Sequence, residues 1–133
     1  MSLEPGLKAE ISQVVAHSDT AAAYGSGLVP VLSTPHLIAL MERASQSIVE
    51  PYLDDTQTAV GTHVDMRHLA ATPVGMTVRV QAELIAVDGR RLRFHVEAWD
   101  EHERVGEAEH ERFIIDRARF LKGVNEKSPS DGE

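Results

Sequence analysis

A chain of 133 residues, 42% of them apolar, can bury the modest core of one domain, expected here over residues 1–133 with flexible ends at 1–6 and 122–133. Its 13 basic and 21 acidic side chains leave a formal net charge of −8, which disfavours a nucleic-acid partner because no basic field neutralises phosphates; none is expected. It has no cysteine, no apolar run of membrane-spanning length and no signal-peptide pattern at its start; this excludes disulfides, thiolate zinc sites and a cysteine nucleophile, disfavours the membrane, and fits a cytoplasmic protein.

Residues 8–16 predict a first strand, with Ile11 and Val14 or Val15 facing inward. The small, glycine-bearing run at 21–27 predicts a loop or a short helix. Leu28, Val29, Val31 and Leu32 are apolar and are expected either to pack over the start of the next element or to cover a pocket. Residues 34–49 predict one long buried helix. Thr34 is a candidate N-cap, because its hydroxyl can accept an orphan backbone N–H. Pro35 suits the first helical position and Pro51 ends the run. Sixteen residues at ~1.5 Å each make a rod of roughly 24 Å. Leu37, Leu40, Met41, Ala44 and Ile48 line one side, and Ile38 and Val49 widen it, so the rod needs cover on most of its surface. One carboxylate, Glu42, stands among them, two turns beyond Thr34.

Residues 52–58 read as a polar connection. Residues 59–66 predict a strand with Val60, Thr62, Val64 and Met66 on one face and Gly61, His63, Asp65 and Arg67 on the other. Continued alternation puts His68 with Val64 and Met66. A turn-rich break follows at 68–75. Met76, Val78, Val80, Ala82, Leu84 and Ala86 then form the inner face of a strand, and Asp88-Gly89 predicts a type I′ hairpin turn. Leu92, Phe94, Val96 and Ala98 form the inner face of the return strand. Residues 105–120 predict a last strand, whose Gly106 and Ala108 let a helix approach closely on the face shared with His110, Arg112 and Ile114. The order is strand, helix, then four strands in a meander. Strands of about twelve residues span roughly 40 Å, longer than the helix. The expected class is therefore α+β: a long central helix wrapped by a curved antiparallel sheet of about five strands. The remaining open face or edge of the sheet predicts a homodimer, with a tetramer left open.

A helix inside a sheet is the hotdog arrangement, and the motifs carry the likeness further. The stretch Gly61-Thr62-His63, followed by His68-Leu69-Ala70-Ala71-Thr72-Pro73-Val74-Gly75, resembles the hotdog acyl-CoA thioesterases, in particular the fluoroacetyl-CoA thioesterase family. Ser33-Thr34-Pro35, Glu42, Asp88-Gly89-Arg90-Arg91-Leu92 and His110-Glu111-Arg112 match that pattern too, over roughly residues 28 to 120. The resemblance implies hydrolysis of a short or compact acyl-CoA thioester. It implies Thr34, Glu42 and His68 as the catalytic set, and Gly61 and Arg112 beside the acyl group. No cofactor and no metal are expected. Residues 25–31 hold no Phe to match the family's aromatic lid.

The residue types suit that chemistry. A threonine hydroxyl becomes a nucleophile when a neighbouring base takes its proton, and an imidazole titrates in the right range. A carboxylate orients the imidazole or acts on water directly. A glycine N–H allows close approach of a carbonyl oxygen. Two routes stay open: attack by Thr34 through an acyl-enzyme, or attack by water activated by Glu42 or His68. Each residue also has a plain structural role: Thr34 as a cap, Glu42 paired with Arg43 or Arg67, His68 as a hydrogen-bond donor, Gly61 as a bulge, Arg112 paired with Glu111 or Asp116. His63, Asp65 and His68 are metal-ligand types, but strand alternation turns His68 away from the other two. Arg90, Arg91 and Arg93, or Arg117, Arg119 and Lys122, are candidate partners for coenzyme A phosphates. A non-catalytic acyl-CoA-binding hotdog protein and a hotdog dehydratase are the competing functions.

Overall fold

The computed structural model describes residues 2–129; Met1 and residues 130–133, which belong to the ends expected to be flexible, lie outside the described residues. One antiparallel sheet holds β1 (Lys8–Val14), β2 (Gln57–His68), β3 (Thr77–Asp88), β4 (Arg91–Trp99) and β5 (Arg104–Asp116), in the order β1-β3-β4-β5-β2. The helices are α1 (Ala21–Tyr24), α2 (Thr34–Val49) and α3 (Arg117–Lys127).

Only β3, β4 and β5 form the expected meander. β2 pairs with β5 and becomes an edge. Residues 69–76 are long enough for this: β2 and β3 lie three strand spacings apart, about 14 Å, which eight residues cross easily. The connection is held on both sides, by Leu69 N–H to the Val105 carbonyl (2.7 Å) and Gly75 N–H to the Val15 carbonyl (2.8 Å).

Helix α2 has the expected bounds, and its predicted apolar side, Leu37, Leu40, Met41, Ala44 and Ile48, is buried. It packs on Val78, Val80, Ala82 and Leu84 of β3, on the inner residues of β4, and on β5. Burial of each such aliphatic side chain contributes about 1.5–3 kcal/mol. Gly106 permits the contact with β5: a Cβ there would lie 2.9 Å from Leu37 and 3.1 Å from Met41. The cap differs from expectation. Ser33 is the N-cap, its hydroxyl accepting the His36 N–H at 3.1 Å, and Thr34 and Pro35 are the first two helical residues. Thr34 is thereby left free of capping. At the far end Glu50 keeps helical dihedrals, and Pro51 lies in a following 3-10 turn, Glu50–Tyr52.

Two bulges break the alternation read from sequence. In β2 the register shifts between Gly61, opposite Arg112, and His63, opposite Glu111. Thr62 is the extra residue. Ala59 and Gly61 therefore share the helix-facing side with Val64, Met66 and His68, where strict alternation put Gly61 on the opposite face. In β3 a bulge at Ile85 puts Ala86 opposite outward-facing Arg93 rather than on the inner face. At the β3–β4 turn only Gly89 has positive φ (61°), which fits a II′ rather than a I′ turn. Strand β1 stops at Val14, with Val15 buried and Val14 exposed. Gly6 and Leu7 of the lead are tied to Leu84 by backbone hydrogen bonds of 2.8 Å each. The last strand ends at Asp116, not at 120. The Asp116 side chain caps α3 through the Arg119 N–H at 2.9 Å, and Arg, Ala, Leu and Lys sustain the helix that follows.

Candidate active site

The first turn of α2 and the last residue of β2 meet at the end of the sheet. Thr34 Oγ1 lies 2.8 Å from His68 Nδ1. Burial pushes the His68 pKa down, and the nearby Ala70 backbone opposes this only partly, so the imidazole is neutral at pH 7. With Nδ1 accepting the threonine proton, Nε2 carries the hydrogen; that atom is buried and, apart from a weak pull of the Ala70 backbone, has no hydrogen-bond partner among the described residues. Thr34 and His68 border a cleft of 490 Å³ with Ala21, Ser26, Val31 and Ala70. Val31 and Leu32 form part of one rim. Leu32 is buried, Val31 bridges to Pro73, and Leu28, 98% exposed, projects into solvent. Val31 and Leu32 are the residues of this segment that border the cleft, and exposed Leu28 does not pack over the start of α2.

A second group lies two turns further along α2. Eight residues separate Thr34 from Glu42, about 12 Å along the axis. Glu42 Oε2 accepts from Arg112 Nη1 at 3.1 Å and packs against Gly61, where any side chain would collide with it. Arg112 is buried and uses its other donors on Gln46 Oε1 (3.1 Å) and the Ala59 carbonyl (3.0 Å). Burial lowers its pKa and Glu42 opposes that; the guanidinium remains charged at neutral pH. Within one chain the five predicted residues therefore form two groups: Thr34 with His68, and Glu42 with Gly61 and Arg112. Glu42 pairs with Arg112 rather than with Arg43 or Arg67. The β2 bulge is what allows His68 and Gly61 to occupy the same side of the sheet.

Two buried networks escaped sequence reasoning. His110, on β5, donates from Nδ1 to the His63 carbonyl (2.7 Å), which leaves Nε2 to accept from Arg112 Nη1 (3.2 Å). Its inward position in β5 was the available signal. The other joins His36 to Gln13 Oε1 (2.6 Å), Asp19 (3.3 Å) and the Tyr24 hydroxyl (3.0 Å). The carboxylate and amide oxygens only accept, so His36 Nε2 carries hydrogen. This network ties α1 and β1 to the first turn of α2, and nothing in local sequence spacing announced it. Of the arginines considered for coenzyme A, Arg90 and Arg119 come together with Phe113 and Phe120 around a small recess on the outer face.

A long helix packed on a five-stranded antiparallel sheet defines a hotdog-fold protein, and solved structures of this fold at 33% identity are thioesterases. A solved hot-dog-like protein from Thermanaerovibrio acidaminovorans shares the fold, with a TM-score of 0.88 at 22% identity over 96% of this chain and 95% of that one. A solved fluoroacetyl-CoA thioesterase superposes with a TM-score of 0.92 at 33% identity, over 97% of this chain and all (100%) of that one. The fluoroacetyl-CoA thioesterase of Streptantibioticus cattleyicolor is 40% identical over 100 residues, 75% of this chain and 72% of that protein. A family model described as fluoroacetyl-CoA-specific thioesterase matches residues 15–118. The chain belongs to this family, and its class of activity is thioester hydrolysis. No helix among the described residues is long and apolar enough to cross a membrane.

Proposed function

We propose that this chain, acting as one hotdog domain in the cytoplasm, hydrolyses a short or compact acyl-CoA thioester to the free acid and coenzyme A. The observation that carries the catalytic part is the 2.8 Å contact between Thr34 Oγ1 and His68 Nδ1 beside an open cleft. In this reading neutral His68 takes the Thr34 proton as the hydroxyl attacks the thioester carbonyl. The tetrahedral intermediate collapses with loss of the coenzyme A thiolate, which recovers the proton from imidazolium. Water then attacks the acyl-enzyme by the same base. The Gly61 N–H and the Arg112 guanidinium hold the acyl group, and a cationic Arg112 suits developing negative charge.

The reading needs two copies. Glu42 is about 12 Å along the helix from Thr34 and faces Arg112 in its own chain. His68 Nε2 is buried with no hydrogen-bond partner of good geometry among the described residues, and a second copy can supply a better acceptor. The open edge of β2 offers a surface on which a second sheet can pair. An isologous homodimer joined there places Glu42 of one copy towards His68 of the other. Arg90 and Arg119 are the arginines we assign to coenzyme A phosphates. The test is thiol release from purified protein on acetyl-CoA, a bulkier branched acyl-CoA and palmitoyl-CoA. Turnover is expected on the first, reduced in Thr34→Ala and in His68→Ala. Faster turnover on palmitoyl-CoA, or full activity in Thr34→Ala, would overturn the reading.

A further inference from the structure

Arg112 sits among four partners, and one of them is not a fixed backbone or helix group with an obvious role. His110 is 1% exposed, on the same strand and face, two residues away. Its ring is held on one side by the His63 carbonyl, at the β2 bulge that turns Gly61 towards the helix. It packs on Phe94, with ring centroids 5.9 Å apart. The fixed Nδ1–H bond leaves Nε2 a lone pair aimed at Arg112 Nη1, 3.2 Å away, and the same nitrogen donates to Glu42. The charged groups that face this ring are Arg112 and Glu42, with His63 beyond its own carbonyl; all three bear on its protonation, and burial and Arg112 keep it neutral. A neutral imidazole, locked in one tautomer by a backbone carbonyl, is an acceptor whose orientation cannot drift.

We propose that His110 is a positioning residue for thioester hydrolysis: its locked Nε2 lone pair orients the Arg112 guanidinium between Glu42 and the acyl group. This rests on the reading of Arg112 as an acyl-group contact. Without the acceptor, Arg112 keeps its bonds to Glu42, Gln46 and the Ala59 carbonyl, but one Nη1 hydrogen loses its partner and the Nη1–Glu42 pair is free to shift.

Two substitutions separate the two ring nitrogens. In His110→Asn the amide nitrogen overlays Nδ1, keeps the bond to His63 and removes the acceptor for Arg112. In His110→Gln the amide oxygen reaches the Nε2 position and restores that acceptor. On acetyl-CoA, His110→Asn is expected to lower kcat/KM by about 10- to 100-fold, mostly through kcat, as for a misaimed catalytic contact. His110→Gln is expected to recover most of that loss. Arg112→Gln should lower kcat/KM by itself, and adding His110→Asn to it should cost little more, because one residue acts through the other. Circular dichroism and thermal melting would accompany each variant. If His110→Asn does not fold, His110→Leu, which fills the ring's space and offers no acceptor, takes its place in the same comparison with His110→Gln and in the same Arg112→Gln cycle. Wild-type kinetics in His110→Asn, or losses that multiply in the double variant, would overturn the role of His110 while leaving Arg112 in place. An Arg112→Gln variant with unchanged kcat/KM would overturn both the acyl-contact reading and the inference built on it.

Discussion

Mixing two inactive chains tests whether the proposed site spans a dimer. The two groups of site residues are about 12 Å apart along α2, and Glu42 is engaged by Arg112 of its own chain. Thr34→Ala should lower kcat/KM by ~100-fold or more if its hydroxyl carries the reaction with His68. Glu42→Gln should lower it as well, because the amide can neither orient an imidazole as an anion nor act as a base. Suppose each site takes Thr34 and His68 from one copy and Glu42 from the other. A heterodimer of the two variants then holds one intact site and one doubly damaged site. Random pairing of equal amounts makes half of the dimers heterodimers, so activity should return to about a quarter of wild type in a symmetric dimer. The assay is thiol release from co-expressed, differently tagged chains, with heterodimers confirmed by native mass spectrometry. Activity no greater than the sum of the two variants, in a sample with heterodimers present, would refute a site shared between subunits.

Other outcomes follow from the same geometry. Thr34→Ser should keep most activity where Thr34→Ala does not, and mass spectrometry after rapid quenching should detect acyl transfer to Thr34; its absence at every time point would favour direct attack by water. Because burial depresses the His68 pKa, the base stays unprotonated below the ordinary imidazole value of about 6.5, so the acid limb of the kcat/KM profile should lie below that value. Folding stability should respond too. His68 and His110 have depressed pKa values in the folded state, so the unfolded chain binds more protons as pH falls through the ordinary imidazole range. Their contribution is present above that range and is lost below it, while partly exposed His95, raised by Glu109 and Glu97, opposes the trend weakly. Thermal melts from pH 8 to 5 should show a falling Tm, and a rising one would contradict the assignment. Leu37→Ala should cost about 2–5 kcal/mol in denaturant unfolding, as a fully buried side chain on the helix–sheet seam. Gly61→Ala should fold with Glu42 displaced and kcat/KM reduced, since the added methyl meets the Glu42 carboxylate.

The sequence by itself determined the central helix, its apolar side and its bounds, because a 3.6-residue pattern closed by two prolines is local information. It determined the inner faces of β4 and β5 and the close approach at Gly106 for the same reason. It singled out Thr34, Glu42, His68, Gly61 and Arg112 through motif spacing, yet could not divide them between two groups. That division depends on tertiary structure alone. Ser33, not Thr34, takes the cap, and the choice between two adjacent hydroxyls is settled by how Asp19 and Thr72 hold residues 32 and 33 through backbone bonds. Gly61 turns to the helix because Thr62 is an extra residue against β5, and a bulge leaves no mark in a pattern of alternation until the partner strand is known. β2 lies beside β5 rather than β3 because pairing partners distant in sequence are chosen by the whole sheet. His110 and His36 acquired their roles in the same way: each imidazole is fixed by groups between 2 and 47 positions away along the chain, and only the folded packing brings those groups within hydrogen-bonding distance.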